Sequence, residues 1–206
     1  MLKPQRAKDQ KGFTIVELLV SLLLTAIIMT AVYSVYRVQT HSAKAQESRL
    51  EAQEYARSVL DMMVREIRNA AYTPTGAACA VVVSASAQTI QFRYDANADG
   101  DCSDSDEDIT YTFDTTGCTG GLGNITRNGS GNPLTNCNAT SSFDLRYFKQ
   151  DGTELSRPVS GGDLVNIQRV LITLTVQSLR PDTEFGGQLT ATMTSNADLR
   201  NRGLPS

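Results

Sequence analysis

The sequence predicts an α+β protein: one long N-terminal helix, apolar enough in its first half to cross a bilayer, followed by an antiparallel β-rich domain packed on the second half. Three observations predict it. Residues 13–36 form an apolar run whose only charged side chain is Glu17. Helical spacing then continues without Pro or Gly from Arg37 to about Tyr72. Beyond Pro74 the composition turns to Thr, Ser, Val, Gly and Asn, and short alternating runs begin.

The apolar run comes first. About 24 residues of helix span roughly 36 Å, enough for a hydrocarbon core. Ahead of it, Lys3, Arg6, Lys8 and Lys11 outnumber Asp9. That excess predicts a cytoplasmic leader over 1–12 and a chain that crosses the membrane once, its remainder outside. A carboxylate in hydrocarbon costs a few kcal/mol at least and is seldom kept without a partner, which singles out Glu17. Cleavage after Gly12 would create an α-amino group on Phe13, and Glu17 lies four residues on, about 6 Å along the helix. Its carboxylate would neutralise that terminus or a neighbouring subunit's, the latter giving stacked helices a register. A proton or ion pathway is the alternative, and one span offers it little.

These residues resemble a known family. The run Lys11-Gly12-Phe13-Thr14-Ile15-Val16-Glu17-Leu18-Leu19-Val20 is similar to the processing site of type IV prepilins and of type II secretion pseudopilins. The resemblance covers about 25 residues. It implies that a prepilin peptidase cuts after Gly12, that Phe13 is N-methylated, and that Glu17 pairs with the Phe13 amine of a neighbour during assembly. A Sec signal peptide would need a small-residue cleavage site after the apolar core; a plain signal anchor is the other alternative.

The helical pattern continues over 37–72. Ala52, Ala56, Val59, Leu60, Met63, Ile67 and Ala70 form a narrow apolar stripe, with Glu51, Glu54, Asp61, Arg65 and Arg68 off it. Of Met62-Met63, core packing is expected rather than a partner groove. The segment Thr73-Pro74-Thr75-Gly76 stops the helix. A globular domain over 73–206 follows. Strands are expected near 80–85, 89–94, 109–114, 125–127, 143–149, 166–178 and 189–195, with a hairpin turn at Asp151-Gly152 and a polar, fraying tail from Asp198.

With one long helix against such a sheet, the expected fold resembles the pilin fold. Ile109-Thr110-Tyr111, Ile125-Thr126-Arg127, Tyr147-Phe148 before Asp151-Gly152, Arg169-Val170-Leu171-Ile172-Thr173-Leu174 and Arg200-Asn201 are similar to W-type minor pilins, and through them to J-type pseudopilins. The resemblance implies a minor pilin that helps assemble or initiate a type IV pilus. Its partners would be the peptidase, the major pilin, other minor pilins and the inner-membrane assembly platform. The globular domain would be periplasmic, then on the surface pilus. Alternatives are a type II secretion pseudopilin, or a pilus-borne adhesin using the loop over 117–138.

Charge and chemistry narrow the rest. The net charge is −3, and loss of residues 1–12 removes four basic side chains and one acidic, leaving −6. An acidic mature chain argues against specific nucleic-acid binding. With one histidine, His41, and no nucleophile elbow, Walker loop, dinucleotide fingerprint or HExxH, no enzyme is expected. Asn124, Asn128 and Asn138 begin N-x-Ser/Thr sequons, which follow from composition. Cys79, Cys102, Cys118 and Cys137 lie beyond the anchor; in an exported domain they predict two disulfides, and their spacing does not suit zinc. Of the three pairings, Cys118–Cys137 with Cys79–Cys102 is favoured. The first closes a Gly/Asn-rich loop, and the second ties the start of the sheet to an acidic loop.

That acidic loop carries the cofactor expectation, calcium. Asp95, Asn97 and Asp99 take the first, third and fifth positions of an EF-hand-type loop, with Gly100 at the sixth. The Asp101 carbonyl would supply the seventh position, Ser103 a water at the ninth and Asp106 the twelfth. Asp stands there instead of the usual Glu; Glu107 comes one residue late, and the flanks are strands. Seven carboxylates fall within 95–108, and their repulsion favours a neutralising cation over a merely solvated turn.

Overall fold

The computed structural model describes residues 12–76, 79, 81–137, 139–178 and 187–200. The basic leader residues through Lys11, the Asn138 sequon and Asn201 lie outside the described residues. The chain divides into two compact units, 1–44 and 45–206. One helix, α1 (Ile15–Arg68), contributes to both.

Over residues 15–36 the helix is apolar on every side and exposed, from Ile15 at 81 % to Leu24 at 53 %. By length and composition it can cross a membrane. Four Ser and Thr hydroxyls are satisfied within the helix: Ser21 donates to the Leu18 carbonyl, Thr25 to Ser21, Thr30 to Ala26 and Ser34 to Ala31. This suits a medium that offers no hydrogen-bond partners.

In the second unit the stripe is buried. Ala52, Ala56, Val59, Leu60, Met63, Val64, Ile67 and Ala70 enter the core. Met63 is fully buried, whereas its neighbour Met62 is 37 % exposed. Burial of each large stripe residue is worth about 1.5–3 kcal/mol.

The helix ends at Arg68, earlier than the apolar spacing suggests. Ala70 N–H turns back to the Ile67 carbonyl, and Ala71, at positive φ, donates instead to Arg93 at 2.9 Å. A bond to a strand replaces the next helical bond, and Pro74 bars any resumption.

The β-structure comprises β1 (Val82–Ala85), β2 (Thr89–Arg93), β3 (Asp108–Asp114), β4 (Asn124–Arg127), β5 (Thr140–Phe148), β6 (Arg169–Gln177) and β7 (Thr190–Asp198), with a short helix α2 (Gly161–Leu164) before β6. Every pairing is antiparallel. A single sheet is the simplest expectation from the sequence, but the strands form two: β1-β2-β3-β4 and β5-β6-β7. The ladder breaks between β4 and β5, where the isolated bridge Gly123–Thr140 remains, and the Cys118–Cys137 disulfide joins the chain on either side of β4. A side chain at Gly123 would strike the Phe113 ring, with its Cβ 2.6 Å from Phe113 Cε2. The two sheets therefore meet where only glycine fits.

Alternation places one face of each strand in a shared core. Ile90, Phe92, Ile109, Tyr111 and Ile125 come from the first sheet, and Leu145, Tyr147, Val170, Ile172 and Leu174 from the second. Tyr147 also donates its hydroxyl to the Ser86 carbonyl at 2.8 Å, tying β5 to the β1–β2 turn. The Asp151-Gly152 turn is present, with Lys149 N–H on Thr153 and Leu155 N–H on Tyr147. The tail is held further than its polarity suggests. Asp198 pairs with Arg169 at 2.8 Å, and the buried Leu199 donates its N–H to Gln168. A long helix followed by antiparallel sheets is an α+β pilin fold.

Candidate functional sites at the helix start and the acidic hairpin

The first site is the start of α1. Gly12 and Phe13 precede the helix and are exposed. Thr14 stands at the N-cap: its Oγ1 accepts the Glu17 N–H at 3.3 Å, and its carbonyl accepts that of Leu18. Thr14 is thus the capping residue of this turn. The Thr-x-x-Glu spacing of a capping box was its signal, because a threonine three residues before a glutamate opens a helix. Glu17 itself lies in the first turn, where its negative charge suits the positive end of the helix dipole.

The second site is the hairpin loop between β2 and β3. Asp95 is fully buried although it opens an acidic loop. Its Oδ1 accepts the Ala98 N–H at 2.7 Å, and its Oδ2 accepts the Thr75 hydroxyl at 2.8 Å and the Gly100 N–H at 3.2 Å. Gly100 takes the turn at φ +87°, in the left-handed region. Asn97 bridges inward: its Oδ1 accepts the Asp99 N–H, and its Nδ2 donates to Asp99 Oδ2.

Among the described residues, the carboxylates that converge are Asp95, Asp99 and Glu107, with ligand atoms within 4.8 Å of one another. Such a cluster can hold a metal ion. Of the other sequence candidates, Asn97 bonds to Asp99, and Asp101 and Ser103 bond to each other. Asp101 accepts both the hydroxyl and the N–H of Ser103, and those bonds hold its carboxyl below the usual range. Asp106 offers its carbonyl to the Tyr94 hydroxyl and is not one of the converging carboxylates. Its place is taken by Glu107, because the turn over 104–108 carries Glu107 inward and leaves Asp106 exposed. Alternation into β3 was the signal: Glu107, Ile109 and Tyr111 share the buried face.

Two disulfides brace the region. Cys79 is joined to Cys102 across a Cα separation of 6.1 Å, and Cys118 to Cys137 across 5.2 Å.

Comparison with known proteins bears on the first site. Residues 7–33 match the family model of the prokaryotic N-terminal methylation motif. The match spans the end of the basic leader with Lys8 and Lys11, then Gly12, Phe13, Glu17 and most of the apolar run. It marks the chain as type IV prepilin-like and membrane-anchored, with the processing and assembly partners such a motif implies in general. The matched motif is one of structural proteins rather than enzymes. No curated protein and no solved structure matches the chain.

Proposed function

We propose that the chain is a minor pilin, cut by a prepilin peptidase between Gly12 and Phe13 and then inserted into a type IV pilus or its initiating complex. The observation that carries this is a cleavable Gly-Phe-Thr-Ile-Val-Glu start on a helix whose apolar surface is exposed all round. A membrane holds that surface before assembly, and other pilin helices hold it afterwards. Glu17 pairs with the Phe13 amine of a neighbour, which keeps both charges in hydrocarbon and gives the stacked helices a register. The leader is cytoplasmic, the globular unit is periplasmic, and assembly with the major pilin and other minor pilins carries it to the surface. The stretches Ile109-Thr110-Tyr111, Ile125-Thr126-Arg127 and Tyr147-Phe148 before Asp151-Gly152 support the W-type subgroup. The cation of the acidic cluster is calcium, because its donors are hard oxygens.

N-terminal mass spectrometry of assembled material tests this reading. A mature chain beginning at N-methylated Phe13 is expected, and an intact Met1 overturns it. Glu17→Gln, which keeps shape and removes charge, should insert normally and enter filaments poorly; normal entry overturns the pairing.

A further inference from the structure

We infer that Glu107, with Asp95 and Asp99, forms a calcium site that clamps the β2–β3 hairpin onto the segment leaving α1. The inference rests on the reading of the cluster as a calcium site and adds its ligands and its consequence.

The decisive observation is one oxygen. Glu107 is only 1 % exposed. Its Oε1 accepts the N–H groups of Ala96 and Asn97 at 2.8 and 3.1 Å. Its Oε2 is buried and accepts no hydrogen bond from any described residue. A buried carboxylate oxygen without a partner is costly, more so beside two other carboxylates. Nearly all such atoms in folded proteins are satisfied, so each one points to a group that belongs there. Here that group has to be positive, because the surrounding ligand atoms are Asp95 and Asp99 oxygens.

The donor set selects the ion. Three carboxylates with neither thiolate nor imidazole suit a hard cation. Calcium is favoured over magnesium because magnesium dehydrates reluctantly and is seldom held by protein oxygens alone.

The consequence follows from Asp95. The same carboxylate that joins the cluster holds the Thr75 hydroxyl, and the Asp95 N–H donates to the Tyr72 carbonyl at 2.7 Å. A Cβ on Gly100 would lie 3.6 Å from Thr75 Oγ1, so the loop is seated directly on that segment. The Cys79–Cys102 disulfide closes the same junction covalently. Without the ion, three carboxylates repel one another at the point where the hairpin meets the segment after the helix. With it, they become the fastening.

Calorimetry and hydrogen exchange on the full chain in detergent test both halves, with calcium chloride and then magnesium chloride as probes. Binding of calcium with a Kd of about 10⁻⁴–10⁻³ M is expected, and at least tenfold weaker binding of magnesium. Glu107→Gln and the exposed Asp99→Asn should each weaken calcium binding tenfold or more, while Asp106→Asn changes it less than twofold. Should Glu107→Gln fold poorly, Asp99→Asn carries the same test, since its side chain is at the surface. Calcium should slow amide exchange at least fivefold in 95–107 and also at Tyr72–Thr75. No binding at millimolar calcium overturns the calcium reading and the inference together. Unchanged binding in the Glu107 and Asp99 variants overturns this ligand set and leaves calcium elsewhere. Binding that protects 95–107 but not Tyr72–Thr75 overturns the clamp alone. None of these outcomes touches the processing at Gly12.

Discussion

The two halves of α1 differ in apolar content, in its distribution and in their surroundings. Leu23 in the first half is 60 % exposed; Ile67 in the second is fully buried. In the first half apolar residues occupy every face, so no orientation of the helix could bury them all in one small domain. In the second half they keep to one stripe, and charges fill the rest. The number of apolar residues and their distribution around the helix together decide whether lipid or a β-sheet is the solvent. One sequence pattern gives way to the other within an unbroken helix, without a proline or glycine to mark the change.

The largest effect expected from this contrast is the loss of a stripe residue. Ile67→Ala should cost about 2–5 kcal/mol in urea unfolding of the globular unit, followed by tyrosine fluorescence in detergent. Leu23→Ala, the same kind of truncation in the other half, should shift that transition by less than about 0.5 kcal/mol. Equal costs would mean that the first half is also buried against the domain and would break the contrast.

A polar contact fixes the buried half in register. Glu66 Oε2 accepts the Tyr111 hydroxyl at 2.5 Å and Arg127 Nε at 3.0 Å. Glu66 and Arg127 keep about a fifth of their side chains exposed, so the pair is only partly screened. Glu66→Gln should cost about 1.5–3 kcal/mol, the range for hydrogen bonds to a charged acceptor. A cost below about 0.5 kcal/mol would leave the stripe alone to hold the helix.

Much of this arrangement was legible in the sequence. The stripe from Ala52 to Ala70 was readable because helical periodicity survives without knowledge of the partner. The strands were readable because Ile90, Phe92, Ile109 and Tyr111 alternate. The Glu66–Tyr111–Arg127 contact was not, since it joins three residues far apart in the chain whose meeting depends on the sheet's register. Nor was the division into two sheets, where the β4–β5 pairing narrows to the single bridge Gly123–Thr140. The acidic loop lay between these cases. Its Asp-x-Asn-x-Asp-Gly start was visible, but template counting put the last carboxylate at Asp106. The turn at 104–108 moved it to Glu107, which alternation with the strand that follows would have identified.

Burial at the helix–sheet interface also makes stability depend on alkaline pH. Burial, and then the Glu66 carboxylate, raise Tyr111 above the ordinary tyrosine value of 10.0; burial raises Tyr147 likewise. Both groups hold their protons more tightly folded than unfolded. Their contribution is complete below about pH 10 and declines as pH rises above it, by about 1.4 kcal/mol per pH unit for each tyrosine. Tyr111→Phe should remove one such share of the slope in urea unfolding between pH 9 and about 11. The wild-type slope surviving unchanged in that variant would show that Tyr111 does not titrate as the buried interface requires.

The smallest effect lies at the exposed end. The first N–H groups of a helix have no partner within it, and hydrocarbon supplies none. Thr14 Oγ1 takes one of them, that of Glu17. If the chain is cut after Gly12, the Phe13 amine is left positive beside the positive end of the helix dipole. Glu17 is the carboxylate in that turn, so the cap that orders the turn also sets where its charge sits. Thr14→Ala should loosen the turn by about 1 kcal/mol, read as roughly fivefold faster amide exchange at Glu17 in micelles, and Thr14→Ser should restore it. The stability of the globular unit should not change, because Ile67 and the rest of the stripe hold it independently. Slower filament entry by Thr14→Ala, with cleavage at Gly12 intact, would tie the order of this turn to the placing of the Glu17 charge. Unchanged exchange at Glu17 would mean that the dipole and the carboxylate hold the turn without the hydroxyl.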